Sequence, residues 1–462
     1  MEQPQLVFPV HVSEPELIRP ETPTPQELKY LSNIDDQAGL RNHIPFVHFY
    51  GPKNDIGVGA DPVPIIKQAL SKALVHYYPI AGRLRKAEEK GKLVVDCCNE
   101  GVIFREADAN VTLETLRKVH GGLRPSFPQW DRFLVDDVWG SYFITNSPLL
   151  RMQVTRLACG GFVFAYTFNH CVCDAYGAFQ FVTTVSEFCQ DPDRKNPSVT
   201  PSWGREILKP RTPPHVSYPH HEYDLDHTTA QSQKISTQTD FKNLAQTSVF
   251  ISKTEILALK NQINGQKSPT FDAIASSLWR ARTRTLLKPE SVTKLLFPID
   301  TRFRYKPSLP KGYYGSAVVF PCAVAKASEL IEKPLHYAAG LVSEVKNGVT
   351  GDEYRASVLD FIEMNGRRGF CSEGAFVVSD MSRLGFADVD FGWGQGVYGG
   401  PSRAGTGLVP GMVTSVISHK NEAGVEGVLA LVSLPSHAVE RFHKEVRKEI
   451  TGFTPVVALS AL

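Results

Sequence analysis

The chain has 462 residues, of which 42% are hydrophobic and 21% charged, a composition that is typical of a folded protein and excludes a disordered chain. Fifty Lys and Arg residues against 48 Asp and Glu give a net charge of +2, too small to indicate general binding to nucleic acid or to an anionic membrane. At about 150 residues per domain, the length predicts about three domains, or two large ones.

Features that bear on location favour the cytoplasm. The first six residues lack the basic and apolar segments of a signal peptide, and no apolar run approaches the ~20 residues needed to span a bilayer. Eight cysteines in so long a chain predict free thiols in a reducing compartment. The alternative is the peroxisome, because the C-terminal Ser460-Ala461-Leu462 differs from the Ser-Lys-Leu signal only at its middle residue.

The first half mixes helices and strands without a regular alternation. Asp61-Pro62 predicts a helix start, and apolar residues at helical spacing follow until Tyr78-Pro79 ends the helix. Strands are predicted over 92–97 and 103–106. A hairpin is predicted from 153–157 and 161–169, with the large residues at 162, 164, 166 and 168 on one buried face.

The chain changes character over residues 191–235, where seven prolines stand among polar residues. This pattern predicts a crossover linker that runs over the surface. We therefore expect an N-terminal domain at 1–195, a linker at 196–240 and a C-terminal domain at 241–462. In the last of these, strands are predicted over 248–251, 295–300, 316–324 and 427–433, a helix capped by Thr270 or Ser268, and a closing helix over 436–449.

The first candidate for chemistry is the motif His170-x-x-x-Asp174, followed by Gly177. His170 ends a strong strand and Asp174 begins a helical pattern, so the imidazole can point into a cleft beside a helix. Its unperturbed pKa, near neutral, suits a general base. The spacing alone leaves open a buried core histidine. A second match, from His220 to Asp224, lies in the proline-rich linker, where the context favours neither a catalytic nor a metal site.

The second candidate is the pentapeptide Asp390-Phe-Gly-Trp-Gly394, which is rare by chance. Together with the His170 motif, it resembles the BAHD family of plant acyl-CoA-dependent acyltransferases. The likeness spans nearly the whole chain. It includes Tyr77–Leu84, Ser277–Ala281, Asp300-Thr-Arg302 and Gly312–Gly315, with Ser316 where many members have asparagine.

The resemblance implies a mixed α/β fold of two chloramphenicol-acetyltransferase-like domains with a solvent channel between them. In such a fold His170 would lie in the middle of the channel and take the proton of an acceptor hydroxyl as it attacks the acyl-CoA thioester. No acyl-enzyme is needed, so Cys171 and Cys173 are expected to be bystanders. The only cofactor expected is acyl-CoA, as a co-substrate, with a small alcohol as the partner, no metal and a monomeric enzyme.

The resemblance also assigns the supporting residues. Besides His170, Asp174 and Asp390 are included as catalytic residues, although in the family both turn away from the reacting carbon. Asp174 is expected to pair with Arg302 and fix the loop that carries His170, while Gly177, Trp393 and Gly394 give structural support. Contacts to CoA are expected at Lys253, Thr270 and Ser379, for which an ordinary solvated or capping role is equally open.

Within the family, the N-terminal segment around residues 31–41 and the stretch from 385 to 401 resemble alcohol acyltransferases of the volatile-ester branch. The reaction implied is benzoyl-CoA plus benzyl alcohol giving benzyl benzoate. Alternatives are an aliphatic or alkaloid alcohol with another acyl-CoA, a carrier-protein-dependent condensation enzyme, and a non-catalytic CoA-binding relative.

Overall fold

The protein is described from a computed structural model, which defines residues 7–53, 61–89, 91–119, 122–125, 127, 129–135, 137, 141, 143–223, 243–405 and 411–452. Three features of the sequence lie outside these ranges: Asp224 of the second His-x-x-x-Asp match, residues 225–240 of the predicted linker, and the C-terminal tripeptide. Peroxisomal targeting therefore stays a prediction. No helix within the described ranges is long and apolar enough to cross a bilayer.

The strands are numbered in chain order. They are β1 (Val10–Val12), β2 (Glu16–Ile18), β3 (Leu28–Tyr30), β4 (His43–Tyr50), β5 (Arg83–Lys86), β6 (Leu93–Asp96), β7 (Val102–Ala109), β8 (Leu150–Leu157), β9 (Phe162–Asn169), β10 (Leu244–Ser252), β11 (Val292–Leu296), β12 (Ile299–Asp300), β13 (Val318–Val319), β14 (Cys322–Lys326), β15 (Ala375–Asp380), β16 (Tyr398–Pro401), β17 (Val413–Lys420) and β18 (Glu426–Pro435).

The helices are α1 (Pro62–His76), α2 (Leu113–Val119), α3 (Ala175–Gln190), α4 (Lys253–Asn261), α5 (Thr270–Leu286), α6 (Ala327–Glu332), α7 (Leu335–Gly348), α8 (Asp352–Asn365) and α9 (Val439–Thr451). Short 3-10 helices lie at Ala38–Leu40, Tyr78–Ala81, Trp130–Phe133, Arg205–Leu208, His221–Tyr223, Gly265–Lys267, Phe386–Asp388 and Ser436–Ala438.

Two large sheets organise the molecule. The first has seven strands in the order β1-β7-β8-β9-β4-β16, with β2 also paired to β7. The second has six strands in the order β10-β18-β17-β15-β11-β14. A three-stranded sheet β3-β6-β5 and the pair β12-β13 are smaller. The mixed α/β class is therefore confirmed.

Several local predictions are confirmed. The Asp61 side chain accepts a hydrogen bond from the Val63 amide and caps α1. β8 and β9 form the predicted antiparallel hairpin. The prediction of one buried face understates β9, because all eight of its residues are buried. All eight cysteines lie in the described ranges and none forms a disulfide, as expected.

Other local predictions are wrong at prolines. α5 begins after Pro269, and neither Ser268 nor Thr270 caps it with a side chain. The strand predicted over 295–300 is two strands, β11 and β12, separated at Pro298, and the strand over 316–324 is replaced by β13 and β14 on either side of Pro321. Because proline lacks the N–H that a ladder needs, a continuous strand does not pass through it.

The contiguous C-terminal domain predicted at 241–462 differs from the observed organisation. β16 leaves the second half of the chain and pairs antiparallel with β4 of the first sheet, with Tyr398 opposite Phe49. Phe391 and Trp393 pack into the same core as β9. The cause is apolar burial, because the aromatic residues of 386–398 find their partners in the first half.

The crossover segment differs only in part from the prediction of a surface linker. Its described part reaches residue 223, and several of its side chains are buried: Arg205, Leu208, His220, Glu222 and Tyr223. Most of its other described residues are exposed or half-buried, so the segment runs over the surface and is buried at these positions.

Candidate active site

A cavity of about 330 Å³ lies where the two large sheets meet. Ile44 and Phe46 of β4 contribute to its wall from the first sheet, and Val377 and Ser379 of β15 from the second. His170 lines the same cavity. Most of the remaining wall is apolar: Leu40, Phe320, Phe370, Met381, Leu384, Met412 and Val413.

The backbone around His170 is held from several directions. β9 ends at Asn169, and the His170 amide donates a hydrogen bond of 2.8 Å to the Asn42 carbonyl oxygen. The Asn169 side-chain oxygen accepts from the Cys171 amide at 3.1 Å. Ser316 Oγ lies 3.4 Å from the His170 carbonyl oxygen, at the far limit of a hydrogen bond. The imidazole therefore stands on a fixed turn between β9 and α3.

Burial in this apolar site lowers the pKa of His170 below its ordinary value, although the Asp174 and Asp35 carboxylates oppose the shift. A lowered pKa keeps the imidazole neutral at pH 7, which is the form that accepts a proton. Burial raises the pKa of the Cys171 and Cys173 thiols well above the ordinary value, so both stay protonated and are poor nucleophiles.

Asp174 organises the loop below His170. Its Oδ1 accepts from the Gly177 amide at 3.0 Å and caps α3, and its Oδ2 accepts from the Ala317 amide at 3.1 Å. Arg302 Nη2 lies 2.7 and 2.8 Å from the two carboxylate oxygens. Asp174 is 4% exposed and Arg302 is fully buried. The pairing of Asp174 with Arg302 is the one that the family resemblance implied, and it lies beneath the loop that carries His170.

Arg302 keeps its positive charge in the interior. Burial lowers the pKa of a guanidinium, but the carboxylates of Asp174 and Asp300 raise the pKa of Arg302 above its ordinary value. Its Nε donates to the Tyr313 carbonyl oxygen at 3.2 Å, and its Nη2 also donates to the Gly315 carbonyl oxygen at 2.6 Å. Arg302 thus joins α3 to the segment 313–317 of the second half.

Gly177 is required by a close approach of two backbones. A Cβ at this position would lie 1.9 Å from the Tyr314 carbonyl oxygen. Because the contact is with backbone, it cannot be relieved by a side-chain rotation. Glycine therefore lets the first turn of α3 approach the segment 313–317, whose carbonyl oxygens at Tyr313 and Gly315 accept hydrogen bonds from Arg302.

The Asp390 loop, like the Asp174 loop, is held by an aspartate that accepts hydrogen bonds from backbone amides. Asp390 Oδ1 accepts from the amides of Gly392 and Gly394, at 2.7 and 2.8 Å. Both glycines have positive φ, at +94° and +84°. Trp393 is 8% exposed, packs edge-on against Phe162 and lies 5.0 Å below Lys53 Nζ. Trp393 anchors the loop to the first core.

Asp390 does not line the cavity that contains His170. Its carboxylate is used by its own loop, and the structure does not bring it together with the imidazole. The geometry therefore assigns Asp390 to loop folding and does not support its inclusion among the catalytic residues.

Comparison with known proteins decides the family. Residues 8–449 match the family model of the Transferase family. The chain is 43% identical to benzyl alcohol O-benzoyltransferase of Petunia hybrida, covering 97% of this chain and 95% of the relative. It is 44% identical to benzyl alcohol O-benzoyltransferase of Nicotiana tabacum, covering 96% and 94% of the two chains.

This protein belongs to the BAHD acyltransferases. The family resemblance read from the two motifs is thus confirmed, and so is the assignment to the acyltransferases as a class of enzyme. Among solved structures, vinorine synthase has a TM-score of 0.68 at 20% identity, over 94% of this chain and 96% of that one. The fold is therefore the two-domain fold that the resemblance implied.

The three candidate CoA contacts of this BAHD chain lie in different places. Ser379 lines the cavity that contains His170. Lys253, at the first position of α4, is 73% exposed, pairs with Glu426 and lines a second, more open cavity of about 630 Å³. Thr270, the first residue of α5, lines neither of these two cavities. The structure thus brings only Ser379 together with His170.

His220 of the second His-x-x-x-Asp match has a different role. Its Nδ1 lies 2.9 Å from Glu222 Oε1 and its Nε2 lies 2.9 Å from Ser357 Oγ, like a serine–histidine–carboxylate triad. Ser357 is fully buried, however, and its Oγ also accepts from the amides of Ser217 and Tyr218. These bonds fasten the crossover segment to α8. Within the described ranges, no three His, Cys, Asp or Glu side chains are grouped to hold a metal.

Two features of the site have no clear signal in the sequence. The cavity wall combines residues from position 40 to position 413, so no local pattern marks it. The other is Asp35, which accepts from the Ser316 amide at 2.8 Å beneath the His170 loop. A cluster of polar residues at 32–37 between apolar segments is the one hint that a sequence offers for it.

Proposed function

We propose that this BAHD acyltransferase transfers the benzoyl group of benzoyl-CoA to benzyl alcohol, with His170 as the general base. The observation that carries the proposal is a buried imidazole in the wall of a largely apolar cavity at the junction of the two sheets, where burial lowers the pKa of His170. The identity of the substrates is supported by the likeness to the two benzyl alcohol O-benzoyltransferases.

In the proposed reaction His170 accepts the proton of the alcohol hydroxyl as that oxygen attacks the thioester carbonyl carbon. The new C–O bond gives a tetrahedral oxyanion. When it collapses, the C–S bond breaks, the thiolate leaves and His170 returns its proton to the sulfur. The protein neither gains nor loses a proton over the cycle, and no residue is acylated.

The cavity suits this chemistry in two respects. Its volume of about 330 Å³ is at the lower end of the range of about 300–1,000 Å³ for small-molecule sites. Its wall includes the aromatic rings of Phe46, Phe320 and Phe370. An apolar wall excludes water, which would otherwise compete with the alcohol for the thioester. Aromatic substrates fit these surroundings.

The test is a CoA-release assay on the purified full chain, with benzoyl-, acetyl- and cinnamoyl-CoA each offered to benzyl alcohol, hexanol and a tropane alcohol. We expect the highest kcat/KM for benzoyl-CoA with benzyl alcohol. His170→Ala should lower kcat by about 10²–10⁴-fold, the usual contribution of a general base. His220→Gln is the matched control, because its imidazole is also buried but lies outside the cavity.

Each other outcome has a defined meaning. Highest turnover with another pair would replace the named substrates and keep the mechanism. Full turnover in His170→Ala would contradict the general base. If the folded protein binds CoA but no pair of acyl-CoA and alcohol gives CoA release, the function is that of a binding protein or a carrier-dependent enzyme.

A further inference from the structure

A second buried arginine lies beneath the His170 loop. Arg205, only 3% exposed, belongs to the 3-10 helix Arg205–Leu208 of the crossover segment. Its Nη2 donates a hydrogen bond of 2.8 Å to the carbonyl oxygen of Val172. Val172 is the middle residue of the three that connect His170 to Asp174. Arg205 therefore contacts the catalytic loop directly, from a segment that sequence alone identifies as a linker.

The guanidinium of Arg205 is held tightly. Its Cζ lies 3.7 Å from the centre of the Trp203 ring and 4.8 Å from that of Tyr314. Its Nη1 donates to the Trp203 carbonyl oxygen at 2.9 Å. A Cβ on Gly315 would lie 2.5 Å from Arg205 Cζ, so the guanidinium occupies space that a side chain at position 315 would fill. A planar group stacked on two rings has little freedom to move.

Asp35 supplies the opposite charge. It is fully buried, and its Oδ2 lies 3.4 Å from Arg205 Nε. Its Oδ1 accepts from the Ser316 amide at 2.8 Å, and Ser316 in turn lies against the His170 carbonyl oxygen. Asp35 therefore contacts the support of His170 on one side and Arg205 on the other.

Two buried ion pairs thus hold one short loop. Asp174 and Arg302 hold its C-terminal end, where α3 begins. Arg205 holds the middle of the loop at the Val172 carbonyl oxygen, and Asp35 is the ion-pair partner of Arg205. A buried ion pair is weak evidence for stability, because an apolar pair of similar size often stabilises a fold as well or better. Its position under the loop favours a geometric role.

We propose that Arg205 and Asp35 are positioning residues for His170, so that the crossover segment is part of the catalytic apparatus. This inference rests on the proposed function, in which His170 is the base. Reacting atoms must be aligned closely, and a displacement of about 1 Å can cost about 10²-fold in rate. Loss of the Val172 contact frees the loop to shift by such a distance.

The pH dependence gives an independent signature. Besides Asp35, the ionisable groups around the imidazole are Cys171, Cys173 and Asp174 of the loop, Tyr176 of α3, Asp300 of β12 and Arg302 after it, Asp380 of β15 and Arg205 of the crossover segment. The negative charge of Asp35 favours protonated His170. Its removal in Asp35→Asn should therefore move the acid limb of kcat/KM to lower pH, whereas the same substitution at a carboxylate distant from His170 should leave the limb in place.

The experiment compares Arg205→Met, Arg205→Lys and Asp35→Asn in the purified full chain. We expect Arg205→Met to lower kcat by about 10–100-fold, while KM for both substrates changes by less than about 3-fold. Arg205→Lys keeps the charge and part of the reach, so it should recover part of the loss. The double variant Asp35→Asn/Arg205→Met should lose less than the product of the two single losses, because the residues act together.

Two variants are matched controls. Arg280→Met removes a buried arginine that pairs with Glu449 at 3.1 Å in the second half and should lower the melting temperature with kcat unchanged. Asp360→Asn weakens another anchor of the crossover segment, at Arg211, away from the loop, and should leave the acid limb unchanged.

The outcomes separate this inference from the proposed function. If His170→Ala keeps full turnover, the general base itself is wrong. If His170→Ala is inactive but the folded Arg205 and Asp35 variants behave like the two controls, the positioning role alone is overturned. Should Arg205→Met not fold, Arg205→Lys and the acid limb of Asp35→Asn still decide the question.

Discussion

The two motif loops use the same device in different surroundings. In each, an aspartate accepts hydrogen bonds from backbone amides of its own loop: Asp174 from Gly177, and Asp390 from Gly392 and Gly394. Asp174 is almost fully buried and paired with a fully buried arginine, whereas Asp390 is half-buried. The two aspartates therefore stabilise their loops by the same kind of hydrogen bond. Their removal leaves very different groups without a partner.

The difference shows that a motif residue's importance depends on its surroundings more than on its own bonds. Removal of Asp390 leaves two amides that water can reach. Removal of Asp174 leaves the charge of Arg302 in the interior, with Asp300 as its remaining carboxylate partner among the residues described. Because an uncompensated buried charge is costly, the Asp174 loop should be far more sensitive to substitution.

The largest effect is expected for Asp174→Ala. Breaking a buried pair by removing one partner typically costs about 3–5 kcal/mol of unfolding free energy. Urea unfolding of the variant against the wild type measures the loss, and kcat should fall with it because the His170 loop loses its cap and the Ala317 contact. A loss of unfolding free energy below about 1 kcal/mol would contradict the greater sensitivity of the Asp174 loop, because an exposed ion pair contributes about that much.

A double variant separates stability from catalysis at the same site. Asp174→Leu/Arg302→Met removes both charges, and apolar replacement of a buried pair is often neutral. We expect much of the unfolding free energy to return while kcat stays low. Recovery of both would mean that the pair serves the fold only.

An intermediate effect is expected from glycine substitutions in the two loops. In Gly177→Ala the new methyl group would lie 1.9 Å from the Tyr314 carbonyl oxygen, so the turn of α3 must move. Overpacking of this kind costs about 1–3 kcal/mol. The movement displaces the His170 loop, so kcat should fall about 10-fold or more.

Gly394→Ala is its counterpart in the other loop. Among the described residues beyond its chain neighbours, no heavy atom lies within 4 Å of the new methyl position, so the expected penalty is that of the positive φ of +84°. The expected cost is about 1–2 kcal/mol, with kcat unchanged. Equal kcat in the two alanine variants would remove the distinction between the loops.

A feature of the structure can be predicted from the sequence when the residues that determine it lie close together in the chain. α3 is predictable because Asp174 is a preferred N-cap residue and apolar residues follow at helical spacing. The hairpin of β8 and β9 is predictable because both strands and their short connection lie within twenty residues. The Asp174–Arg302 pair is 128 residues apart, and only the family resemblance indicated it.

The remaining features are tertiary. β16 is a four-residue strand with two glycines and a proline, so it carries no alternating pattern, and its partner β4 lies about 350 residues away. Arg205 follows a proline-rich stretch that is typical of exposed chain, and the groups that cover it include Asp35 and Tyr314, which are distant in the sequence. Lys253 begins a helix, and its local sequence does not determine which cavity it faces.

The smallest effect is expected for Asp390→Asn. The amide oxygen of asparagine can still accept from Gly392 and Gly394, so only the charge is lost, and the unfolding free energy should fall by no more than about 0.5–1.5 kcal/mol. Turnover should stay within about 2-fold, whereas Asp174→Asn, with the same chemical change, should lose much more because Arg302 depends on that charge. Urea unfolding and CoA release on both variants make the comparison. If Asp390→Asn loses turnover as severely as Asp174→Asn, its carboxylate acts on the reaction from outside the cavity and belongs with the catalytic residues after all.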